Sequence, residues 1–169
     1  MRATTCSFIA ACFIGLAMPT QAEPPWIFGD DTRYMALGDS LAAGYGAQPV
    51  TQGYVYRLYK RGVFDTTPNT LFANAAVPGA TSNDVLLYQV PQAVQLFQPH
   101  VITITVGGND LLSILEGADP GTVLTQFQNN LVAILASLRA GLPDSEIIVG
   151  NLYSISEIPG ADAVVPIFN

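Results

Sequence analysis

The chain has 169 residues, half of them hydrophobic and 11% charged, with six Lys and Arg against thirteen Asp and Glu and a net charge of -7. That length and apolar fraction predict one globular domain with a sizeable core and exclude a disordered chain. The acidic balance has the wrong sign for neutralising phosphates, which argues against nucleic acid and anionic membrane surfaces as partners.

In chain order, residues 1–22 read as a signal peptide. Arg2 leads, the apolar stretch SFIAACFIGLAM follows, and Pro19 precedes TQA, with cleavage expected after Ala22. The protein is then expected to be secreted or periplasmic. The apolar stretch is too short to cross a bilayer, so no transmembrane anchor is expected. IAAC, ending at Cys12, has the look of a lipid-attachment box, but the regions before it are short for one. Cys6 and Cys12 are the only cysteines, and both fall in this segment. The processed chain therefore has no disulfide, and its stability rests on packing.

EPPWIFGDDTR, residues 23–33, is Pro-rich and charged and reads as a leader. YMALG at 34–38 is a strand. GYVYRLYKRG, from Gly53, has Val55, Leu58 and Tyr59 on one helical side, with Gly62 placed to stop it. TLFANAA, from Thr70, fits a second strand. Thr81 or Ser82 caps the next helix, which NDVLLYQV continues until Pro91 interrupts or restarts it. VITITV at 101–106 is β-branched and apolar on both sides, as in a strand covered on both faces.

Asp119-Pro120 opens a longer helix, with an acid cap and Pro at the first helical position. Leu124, Phe127, Leu131, Ile134 and Leu138 form its apolar stripe, and Gly141 and Pro143 end it. EIIVGNL, from Glu146, is a fourth strand, and YSISEIPGADAVVPIFN carries no clear signal. Strands and helices alternating in this way predict βαβ units and a doubly wound parallel sheet between two helical layers. Functional groups of such sheets gather beyond the carboxyl ends of the strands.

Three polar motifs fall at those ends. Ser40 follows the first strand in GDSL, NAAVPGATS at 74–82 follows the second, and VGGND at 106–110 follows the third. The G-x-S-x-G nucleophile elbow fails here, because Ala42 stands where its second glycine belongs. Taken singly, Ser40 is a helix cap or turn residue, Gly79 an ordinary turn glycine, and Gly107 to Asn109 a tight loop or anion nest.

Together, in this order and spacing, the three blocks resemble the GDSL family, also called SGNH hydrolases, over roughly Tyr34 to Leu152. The resemblance implies a flavodoxin-like three-layer α/β/α fold and an esterase or lipase with no metal or organic cofactor. It also implies roles. Ser40 is the nucleophile; its own N–H, the N–H of Gly79 and the side-chain amide of Asn109 form the oxyanion hole; Asp39 and Asp110 support the loops. Chemistry agrees, since ester cleavage needs a nucleophile and donors aimed at the oxygen that becomes negative. A missing side chain at Gly79 lets backbone and substrate approach closely.

The family draws its base from a late D-x-x-H block, and these 169 residues contain none. Their single histidine, His100, precedes the third strand, so a parallel sheet puts it about 20 Å from Ser40. The expectation is therefore an SGNH domain over residues 34–169 that is incomplete at its C-terminus, with four of about five strands. Such a piece would be nearly inactive, and it would expose its fourth strand as an unpaired edge. Other readings stay open. The same fold could deacetylate polysaccharides or cleave thioesters or lysophospholipids, with Tyr45, Tyr54 and Tyr56 near the cleft, or the chain could be a non-catalytic binder. A flavodoxin-like cofactor site is disfavoured, because the first loop lacks a phosphate-cradling glycine pattern. The expected partner is a small-molecule, lipid or carbohydrate ester.

Overall fold

The computed structural model describes residues 32–61 and 70–152. The segment read as a signal peptide, most of the one read as a leader, Gly62 and the segment from Tyr153 onward lie outside the described residues. Four strands form one parallel sheet in the order β2-β1-β3-β4: β1 is Arg33–Gly38, β2 Leu71–Asn74, β3 Val101–Thr105 and β4 Glu146–Val149. The strand-forming runs are those that periodicity and β-branching select.

Successive side chains of β1 go to opposite faces of the sheet, as its pleat requires. Met35 and Leu37, with Ile102 and Ile104 of β3, enter the larger core, where Val85, Ala93, Phe127, Ile134 and Leu138 cover them. Tyr34 and Ala36, with Val101, join Ala42 and Val55 in a smaller core on the other face. Helices thus cover both faces, giving the three layers. The smaller core also holds polar groups: the Tyr34 hydroxyl lies 2.9 Å from Thr103 Oγ1, and burial pushes its phenol up to about 12.

The helices form where caps and apolar spacing coincide. A short helix α1, Ser40–Ala43, follows β1, and α2, Tyr54–Lys60, packs Val55 into the smaller core. Thr81 caps α3, Ser82–Asp84, in a reciprocal box. Its Oγ1 accepts from the Asp84 N–H, and the Asp84 carboxylate accepts from the Thr81 N–H at 2.9 Å and hydroxyl at 2.7 Å. These bonds hold the Asp84 carboxyl below its usual range. Helix α5, Pro120–Gly141, starts at Asp119, which accepts from the Thr122 N–H, and buries Phe127, Ile134 and Leu138 of its stripe.

Two features differ from the sequence reading. The chain stays helical past Pro91, through wide turns over Val85–Gln89 and Gln92–Phe97, until Gln98 takes a φ of 50. The Val90 N–H reaches back five residues to Val85 O, and Pro91 itself sits at φ -59 and ψ -36. Widening moves the preceding carbonyls away from the proline ring, whose clash would otherwise break the helix. The second difference is α4, Gly108–Leu115, which begins inside the GGND motif that reads as a loop.

Candidate active site

The carboxyl edge of the sheet is built around Gly38. Its φ is +136, and a Cβ there would stand 2.0 Å from Thr105 O, so the residue must be glycine for β1 and β3 to leave the sheet this close together. The next N–H, that of Asp39, donates to the same Thr105 O at 3.1 Å. Asp39 is buried and caps α1 by accepting from the Leu41 N–H at 3.0 Å. Burial raises its carboxyl pKa, the bond from Leu41 opposes that, and the nearby charge of Asp110 adds to it.

Ser40 is therefore the first residue of α1. Its carbonyl accepts from the Tyr45 N–H at 2.8 Å once Gly44 has turned the chain. The residue is half-buried, and among the described residues nothing accepts from its N–H or its hydroxyl.

The loop after β2 is attached to the same strand end. Asn74 donates from Nδ2 to Ala42 O at 2.8 Å, and the Val77 N–H donates to Gly38 O at 3.1 Å. A turn closed by the Ala80 N–H on Val77 O then presents Gly79 to solvent with φ +86. A Cβ at Gly79 would meet nothing within 4 Å. Glycine is needed there for its left-handed backbone, not for a close approach to protein atoms. Its N–H also has no acceptor among the described residues.

The loop after β3 completes the group. Asn109 lies in the first turn of α4 and donates from Nδ2 to Ala80 O at 2.8 Å, which engages one of its two amide hydrogens and leaves the other. Buried Asp110 accepts from the Ser82 N–H at 2.9 Å and the Ser82 hydroxyl at 2.6 Å, and Asn130 of α5 donates to Ser82 Oγ at 3.0 Å. A Cβ on Gly108 would lie 3.4 Å from Asp39 Oδ2, so the third loop also touches the first. Ser40, Gly79 and Asn109 thus lie just beyond the ends of β1, β2 and β3, in segments that bond to one another at one edge.

Two polar residues near this edge escape a sequence reading. Gln89 and Asn130 carry no local signal, and their partners lie 51 and 48 residues away along the chain. Ser82, foreseen only as an alternative helix cap, is the residue on which Asp110 and Asn130 converge.

His100 stands at the opposite edge. Its N–H donates to Arg33 O at 2.8 Å, its Nδ1 accepts from the Arg33 N–H at 3.1 Å, and the Glu146 N–H donates to its carbonyl. Partial burial and the Arg33 charge lower its pKa. Of the three tyrosines, Tyr54 bonds to Thr105 Oγ1 at 3.0 Å and Tyr56 packs edge-on against Phe72, while Tyr45 is 77% exposed.

Two hollows are relevant. A cleft of about 370 Å³ runs from Val77, Pro78 and Gly79 to Tyr88 and Gln92 and is mostly apolar. A larger hollow of about 740 Å³ at the start of α5 includes none of Ser40, Gly79 and Asn109. We place the candidate site at the carboxyl edge, because Ser40, Gly79 and Asn109 leave groups unengaged there. Among the described residues no cluster of three His, Cys, Asp or Glu could hold a metal, and no helix is long and apolar enough to cross a membrane.

Comparison with known proteins agrees with this architecture. A family model described as GDSL-like lipase/acylhydrolase matches residues 36–166, and the chain belongs to that family. A spore germination lipase, LipC of Bacillus licheniformis, is 36% identical over 86 residues; the match spans half of this chain and 41% of that protein. Among crystal structures, the lipase Lip_vut3 from a goat rumen metagenome is 27% identical with a TM-score of 0.67, covering 81% of this chain and 72% of its own. The SGNH-hydrolase family esterase AlinE4 is also 27% identical, with a TM-score of 0.57 and coverage of 76% and 63%.

Proposed function

We propose that the protein is a serine hydrolase that cleaves carboxylic esters through an acyl-enzyme. The observation that carries this reading is the set of unengaged groups at one edge: the Ser40 hydroxyl and N–H, the Gly79 N–H and the second amide hydrogen of Asn109. Each belongs to a loop bonded to its neighbours, so the groups are held in place before any substrate arrives. Donors fixed in this way stabilise the oxyanion without reorganising, and each contributes roughly 3 kcal/mol to lowering the barrier.

In the proposed reaction Ser40 Oγ attacks the ester carbonyl carbon as its proton passes to a base. The carbonyl oxygen takes the negative charge among the three donors. Collapse expels the alcohol, which receives the proton, and water then releases the acid by the same steps. His100 cannot be the base, since it lies at the far edge of the sheet bonded to Arg33. We propose that a D-x-x-H segment encoded after Asn169 supplies it. The family membership and the lipase and esterase relatives support ester cleavage in general, and export through residues 1–22 fits an extracellular substrate.

The test compares the 169-residue chain with the product of the extended reading frame on short and long p-nitrophenyl esters, with a serine-directed phosphonate as label. Labelling of Ser40 and turnover only in the extended protein are expected. Brisk hydrolysis by residues 1–169, or by the extended Ser40→Ala variant, would overturn the reading.

A further inference from the structure

Gln89 is polar, has only 2% of its surface exposed, and is part of none of the three loops. It projects from the wide turn Val85–Gln89 against the end of β1. There Oε1 accepts from the Gly38 N–H at 2.7 Å and Nε2 donates to Gly38 O at 2.9 Å. Strand β2 ends at Asn74, opposite Ala36, so the strand pairing stops two residues short of Gly38 on that side. The carboxamide takes the place of the missing neighbour. Gly38 O accepts a second bond, from the Val77 N–H at 3.1 Å. The nucleophile lies two residues beyond Gly38, and Gly79 lies two residues beyond Val77. Both loops are therefore registered on a single peptide group.

We infer that Gln89 is a positioning residue for the hydrolysis proposed above, fixing the separation between Ser40 and the Gly79 N–H through Gly38. Its wide turn has a use in this arrangement. One extra residue per turn lets a side chain of the helical segment face a strand end that a regular helix would pass, and such turns are frequent at functional sites. The inference rests on the hydrolytic reading, and the test separates the two.

Gln89→Met keeps the side-chain length and removes both bonds; Gln89→Glu keeps the acceptor and loses the donor. In the ester-cleaving gene product, Gln89→Met is expected to lower kcat by about 10- to 100-fold per folded molecule, with KM changed less than about twofold, since a displacement near 1 Å costs about that much. The Ser40 and Gly79 amide signals in a 1H–15N spectrum are expected to move together.

Gln89→Glu is expected to match Gln89→Met at neutral pH and to recover, as a ratio to the native chain, when acid protonates the introduced carboxyl and restores a donor to Gly38 O. Taking the ratio removes the titrations of Asp39 and of the base, and Asp84, which lines the same cleft as Gln89, is held ionised by Thr81.

Native kcat in both variants with unmoved Ser40 and Gly79 signals, whatever the loss in melting temperature, would overturn the inference. If Gln89→Met fails to fold, the pH recovery of Gln89→Glu decides it. Native turnover in Ser40→Ala would sink the hydrolytic reading, and the coupled amide shifts would still decide the role of Gln89.

Discussion

The two edges of the sheet use hydrogen bonds in opposite ways. At the amino edge the groups close on one another: Arg33 and His100 bond through N–H, carbonyl and ring nitrogen, Arg33 Nε donates to Gln98 O, Ser145 Oγ donates to Pro99 O, and Arg139 donates to Pro143 O and Ser145 O. At the carboxyl edge the bonds run between loops, from Asn109 to Ala80, from Ser82 to Asp110 and from Val77 to Gly38, and they leave specific donors without partners. An edge whose groups bond mainly to one another stabilises the fold. An edge whose loops are fixed while a few donors stay open is what the proposed hydrolysis requires.

Substitutions can break that contrast. The largest effect is expected at Ser40. In the ester-cleaving gene product, Ser40→Ala should lower turnover by a factor on the order of 10⁶, judged from another serine hydrolase, while His100→Ala should change it less than about twofold. Comparable losses at both positions, measured as kcat on a p-nitrophenyl ester, would erase the distinction between the edges. Asn109→Ala comes next. Removing one oxyanion donor costs about 10²–10³ in kcat with little change in KM.

Gly79→Ala keeps the N–H but forces a side chain into a left-handed backbone, at roughly 1–2 kcal/mol. A lower melting temperature and a kcat loss of about tenfold are expected, since the new methyl meets no protein atom and its effect is conformational.

The smallest effect sharpens the comparison from the other side. His100 holds its proton less tightly when folded, because of burial and Arg33. Its stabilising contribution is present above the unfolded value, near 6.5, and is lost as pH falls through the lower folded value. Thermal melts between pH 7 and pH 5 should therefore decline less steeply for His100→Gln than for the native chain.

How much of this was legible beforehand depended on range. β3 announces itself by a β-branched run, α5 by an acid cap, a proline and a stripe, and the start of α3 by the hydroxyls of Thr81 and Ser82; each signal is local in sequence. GGND hid a helix because glycine and asparagine favour turns, and only Leu111 burying itself in the core reveals the helical spacing of the following LLSIL. Pro91 read as interrupting or restarting the helix, because the wide turns that accommodate it depend on packing against the sheet. Gln89 and Asn130 could not be found at all: their meaning lies in partners about fifty residues away. For Gly79 the sequence suggested only that a missing side chain lets a substrate come close, and the structure adds a left-handed backbone that local sequence does not announce.

The contact between Gly38 and Thr105 O also dictates the direction of traffic. With no clearance between the ends of β1 and β3, an ester bound as proposed would have to approach from above, where Val77 lies open to water. On that reading, substitutions at Val77 would change which ester is preferred while the packed ends of the two strands stay untouched.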